Sequence, residues 1–185
     1  MAKVRQNVVV DGSSGCLGGQ LVLKRDKAGR TILSRKPVFD DHRLFTPAQR
    51  AQQLAFRQAV AYAAGAHTNP LYIRLAVGTV RTPRNVAISD WLHPPRILQI
   101  DLDGWSGQPG GLIRVEAIDD VLVTQVTLSI ITSSGALLEH GPALRVDDLW
   151  WHYTTIAGAS GSLSVLAAAQ DLPGHVTQLT RVITP

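Results

Sequence analysis

At Pro94-Pro95 the spacing of apolar residues changes from one suited to helices to alternation, and the sign of the charge changes at the same place. Residues 1–96 carry fifteen Lys/Arg against five Asp, while residues 97–185 carry three Arg against nine Asp/Glu. The chain thus divides into a stretch of about +10 and one of about −6, which attract each other within a molecule or between copies. A helix cannot run through this dipeptide, because the residue before a proline is pushed out of helical geometry. The expectation is an α+β chain. Residues 1–95 form a basic domain of a small β-sheet and helices, and residues 96–185 form an acidic antiparallel β-sandwich.

Upstream of the prolines, apolar runs at Val8-Val9-Val10, Leu21-Val22-Leu23 and Thr31-Ile32-Leu33 alternate with glycine turns, and predict three short strands. The last two read as a hairpin closed at Asp26-Lys27-Ala28-Gly29. So small a sheet needs a partner layer. Thr46-Pro47 then opens a helix running to about Gly65, since threonine caps and proline suits the first helical position. Asn69-Pro70 and Pro83 open two more helices, over 71–76 and 83–92.

Downstream, runs with period two at 96–102, 112–117, 122–130, 149–154, 161–169 and 178–183 predict strands, separated by turn signals such as Ser133-Ser134-Gly135 and Pro173-Gly174. Trp150 and Trp151 are adjacent on one strand, so one faces the core and the other does not. The order Val115-Glu-Ala-Ile-Asp-Asp-Val-Leu-Val-Thr-Gln-Val126, then Trp150-Trp-His-Tyr153, then Val165-Leu-Ala-Ala-Ala-Gln-Asp-Leu-Pro-Gly-His-Val-Thr177 resembles bacterial Ig-like modules. That resemblance implies an immunoglobulin-like sandwich and no activity. His175 stands where those modules usually carry Asn. The segment from Gly12 to Ala64 is similar to uncharacterised bacterial proteins of virion-like appearance, which carry no known active site.

Chemistry-bearing motifs are few. Gly12-Ser-Ser-Gly-Cys-Leu-Gly-Gly19 lacks the Gly-Lys-Ser/Thr of a phosphate loop and reads as a turn. Cys16, the one cysteine, excludes an intrachain disulfide and reads as a small buried or turn residue. The six histidines are scattered singly, without zinc spacing. No enzyme, cofactor or metal centre is therefore expected. The weaker alternatives are Ca²⁺ on Asp119, Asp120, Asp147, Asp148 and Asp171, nucleic acid on the basic hairpin, and a sugar on an exposed tryptophan. The basic block lacks aromatics for base stacking, which argues against nucleic acid. No apolar run is long enough to span a membrane and no secretory leader is seen, so synthesis in the cytoplasm is expected, with the final location, extracellular assembly included, left open.

The resulting expectation is a structural protein that associates with itself, or with another structural protein, as a subunit of a filament, tube, surface layer or phage-tail-like particle. Lys24, Arg25, Arg30, Arg35 and Lys36 form one side of a head-to-tail contact, and Asp119, Asp120, Asp147 and Asp148 form the other. The competing expectation is a monomeric module that binds carbohydrate or protein through its sandwich.

Overall fold

The computed structural model describes residues 2–4, 13–38, 40, 42–158 and 160–184. The fold is α+β, with three helices lying in sequence between a small antiparallel sheet and a two-sheet antiparallel sandwich.

The first sheet contains β1 (Ala2–Val4), β2 (Gly15–Leu17), β3 (Leu21–Arg25) and β4 (Thr31–Arg35), in the order β1-β4-β3-β2. The β3–β4 hairpin is the expected one. Its turn is closed by Asp26, whose carboxylate accepts from the Arg30 backbone N–H at 2.9 Å and from Arg30 Nε at 2.6 Å. A second hairpin joins β2 to β3, where Gly18 and Gly19 take φ of 60° and 70°, a conformation that disfavours side chains with a Cβ. The strand expected at Val8-Val9-Val10 lies outside the described residues. Cys16 is exposed on β2, contrary to the expectation of a buried or turn residue, because no layer covers this edge strand among the described residues. In β2, β3 and β4 only Leu23 and Thr31 are buried.

All three helices start with a capping residue followed by proline. In α1 (Pro47–Ala66), Thr46 accepts from the Gln49 N–H while Gln49 accepts from the Thr46 N–H, a reciprocal capping box. Asn69 caps α2 (Pro70–Ala76) and Thr82 caps α3 (Pro83–Leu92). Ala63 of α1, Tyr72 and Ala76 of α2, and Val86 and Ala87 of α3 form one cluster. The small alanine side chains let α1 approach α3 closely. Val121 and Leu172, from beyond Pro95, pack against the same cluster, so the helices rest on one end of the sandwich.

The sandwich comprises β5 (Arg96–Asp101), β6 (Leu112–Ile118), β7 (Val123–Thr132), β8 (Leu137–Pro142), β9 (Leu144–Arg145), β10 (Trp150–Thr154), β11 (Leu163–Asp171) and β12 (Val176–Ile183). One sheet has the order β5-β6-β10-β9 and the other β12-β11-β7-β8. Alternate residues point inward, as the pleat requires. Ile113, Val115 and Ala117 of β6 and Trp151 and Tyr153 of β10 meet Val126, Leu128 and Ile130 of β7 and Val165, Ala167 and Ala169 of β11. Burying these side chains contributes about 1.5–3 kcal/mol for each of the larger ones, and this core anchors the molecule. Trp151 is the tryptophan of the pair that enters it, while Trp150 lies half-buried outside, near the Arg114 guanidinium.

Candidate functional site

The structure separates the two charged sets differently from the sequence expectation. Lys24, Arg25 and Arg30 gather at the tip of the β3–β4 hairpin, where Arg30 is already paired with Asp26 at 2.6 Å. Arg35 pairs across from Leu21 at the other end of the hairpin, and Lys36 follows it. The three steps along the strand from Leu21 to Lys24 span roughly 10 Å, so the five cations form two groups on one ribbon. Another cation at the tip, Lys27, donates to the Arg81 carbonyl at 2.7 Å and ties the hairpin to the loop between α2 and α3.

The four interface aspartates also divide by role. Asp147 accepts from the Leu149 and Trp150 N–H groups at 2.8 Å each, which holds its carboxyl below the usual range. Asp148 is fully exposed and meets Arg145 at 2.9 Å. Asp120 lies 3.2 Å from His93 Nδ1 at the end of α3. Asp119 turns inward instead. Its Oδ2 caps the β6–β7 turn by accepting from the Val121 and Leu122 N–H groups, and its Oδ1 is buried. A cleft of about 560 Å³ nevertheless brings Asp119 and Asp148 together with Arg74 and Arg145.

Asp119 belongs to a buried acidic junction that joins the helices to the sandwich. Asp90 of α3 is 0% exposed, and its Oδ2 accepts a 2.5 Å hydrogen bond from the Tyr72 hydroxyl. Tyr72 in turn meets the Tyr62 hydroxyl at 2.8 Å. Since the Tyr72 proton goes to Asp90, the Tyr62 hydroxyl donates to Tyr72, and the three groups form a directed chain. Asp90 Oδ1 and Asp119 Oδ1 are both buried, and among the described residues no donor N–H or O–H reaches either of them. The Asp119 carboxyl lies close enough to Asp90 to raise its affinity for a proton, and a proton held between the two would give each buried oxygen a partner. Burial, opposed by the Tyr72 bond and reinforced by the charges of Asp119 and Asp171, pushes Asp90 up to about 7. Burial also raises both tyrosines.

The third carboxylate, Asp171, ends β11 and is fully satisfied. It accepts from the Gly174 N–H at 2.7 Å and the His175 N–H at 2.6 Å, and its Oδ2 lies 3.0 Å from His175 Nδ1. The His175 ring meets Trp91 of α3 edge-on, with centroids 4.9 Å apart. His175 thus continues the junction from the last hairpin to the helices, a contact the sequence comparison with Asn at this position did not suggest. Among the described residues, no three His, Cys, Asp or Glu side chains are arranged to hold a metal ion.

A further surface lies at the opposite end of the helices. Residues 47–58 of α1 contain no buried side chain, and Ala55 alone is half-buried. A shallow groove of about 750 Å³ runs along this stretch, lined by Arg43, Phe45, Gln49, Gln53, Phe56 and Arg57 among others. Among the described residues, no acidic side chain lines it.

No family model and no curated protein match this chain. Among solved structures, CopC from Methylosinus trichosporium OB3b is similar over 48% of this chain and 89% of its own, at 18% identity and a TM-score of 0.38. A tetra-tandem repeat in the extending region of a large adhesion protein is 21% identical, with 49% of this chain covered, 23% of that chain, and a TM-score of 0.35. A conjugative transposon lipoprotein from Bacteroides eggerthii DSM 20697 is 14% identical, with 49% and 95% covered and a TM-score of 0.27.

Proposed function

We propose that this protein is a structural subunit that associates head to tail with copies of itself, its basic N-terminal part meeting the acidic sandwich of the next copy. The sandwich is read as an immunoglobulin-like spacer or outward-facing module, and residues 1–95 as the assembling domain. The observation that carries this reading is the exposure of the N-terminal half. β3 and β4 together bury only Leu23 and Thr31, and the first three turns of α1 bury nothing. A sheet that has no covering layer among the described residues, and a helix on which Phe56 is exposed, present surface that a neighbouring copy can cover. The outer edges of β1 and β2, unpaired among the described residues, add backbone groups for strand pairing between chains.

Opposite charge on the two halves favours a heterologous contact, which closes into rings or continues as a helix of subunits. Sedimentation velocity over a range of protein concentrations tests this. Species that grow with concentration at about 0.01 M salt and shrink at about 1 M, where the Debye length falls from about 30 to about 3 Å, are expected. A single small species under all conditions would instead favour a monomeric binding module, for which Trp150 beside Arg114 on the outer face is the feature to examine.

A further inference from the structure

We propose that the projecting half of α1 receives the exposed acidic edge at residues 144–149 of a second copy. This rests on the assembly reading above and names its two faces. The receiving face is the groove beside residues 47–58, a rod of about 18 Å at the helical rise. Phe56 there is 50% exposed, and Arg43 and Arg57 flank the apolar floor, with no acidic side chain in the lining among the described residues. Its entrance is already ordered. Arg50 Nε donates to the Phe45 carbonyl at 3.1 Å, and Arg43 stacks over the Phe45 ring.

The entering face has the matching chemistry. β9 is an edge strand that pairs with β10 on one side only. Leu144 on β9 and Val146 just beyond it are 74% and 56% exposed. Asp147 and Asp148 follow them, with Arg145 spending its charge on Asp148. The turn is rigid before any partner arrives, because Asp147 Oδ1 holds the Leu149 and Trp150 N–H groups and the Val146 N–H bonds to the Trp150 carbonyl at 2.9 Å. Two ordered faces lose little conformational freedom on meeting, and guanidinium–carboxylate pairs fix the direction of docking.

The test uses two surface variants of the full chain, Phe56→Asp in the groove and Val146→Lys on the edge, each checked for native circular dichroism. Wild-type protein assembles and each variant alone sediments as a monomer. An equimolar mixture forms a dimer and nothing larger, because only one groove and one edge remain intact. If wild-type protein assembles and the variants assemble equally well, or their mixture stays monomeric, this joint is wrong while the assembly reading stands. If wild-type protein is monomeric throughout, the assembly reading itself fails and the joint with it.

Discussion

Replacing Asp90 with Asn tests the acidic junction. The Asp90 carboxyl titrates at 3.8 when unperturbed and at about 7 in the folded chain, so folding takes up a proton between these values. The stability it contributes is complete below pH 3.8 and declines as pH rises, levelling off once pH passes about 7. Integrated from pH 5 to pH 8, the loss is about 2 to 3 kcal/mol, equivalent to roughly 5–10 °C in Tm for a chain of this size. Asparagine reproduces the protonated state at every pH. Its carbonyl accepts the Tyr72 hydroxyl, and its amide donates to the orphan Oδ1 of Asp119. Asp90→Asn is therefore expected to flatten the decline and to be more stable than wild type at pH 8. Thermal unfolding at fixed protein concentration across pH 5–8 measures both. A variant that keeps the wild-type slope, or is weaker at pH 8, contradicts the shared-proton account.

Two further substitutions probe the packing. A Cβ at Gly111 would lie 2.3 Å from Trp105 Cδ1, so Gly111→Ala overpacks the loop before β6 and should cost about 1–3 kcal/mol, read as a lowered melting temperature. Thr46→Ala removes the α1 cap, worth about 1 kcal/mol locally. Because the first turns of α1 bury nothing, the melting temperature should stay unchanged while the Gln49 amide exchanges faster with deuterium.

The elements most readable in the sequence were those with strong local chemistry. Thr46-Pro47 and Asn69-Pro70 open helices where expected, the third helix begins at Pro83 as expected, and the period-two runs of the sandwich fall on β5, β6, β7, β10, β11 and β12. Four strands were not foreseen, the first of them β1, which is only three residues long. β2 was hidden in a glycine-rich segment, β9 has two residues, and β8 ends on Gly141-Pro142, which reads as a turn but is tolerated on a sheet edge. β2, β8 and β9 each pair with a strand adjacent in sequence but are too short, too rich in glycine or too turn-like at their ends to show an alternating pattern, whereas β1 pairs with β4, which no local pattern records.

Side-chain direction was less legible still. Asp119 and Asp120 look equivalent in sequence, yet one turns inward beneath the helices and the other faces His93. Asp90 was passed over as an ordinary helical residue. The available signal was its place on one stripe with Val86 and Ala87, both apolar and both buried, with no basic residue a turn before it. Its role depends on Tyr72 and Asp119 arriving from other elements, and that is a property of the fold.

Electron microscopy of the purified protein at about 0.01 M and about 1 M salt, bracketing Debye lengths of about 30 and 3 Å, tests the central claim most directly. Regular filaments, tubes or rings at low salt that disappear at high salt are the expected result. Uniform small particles under both conditions would contradict self-assembly.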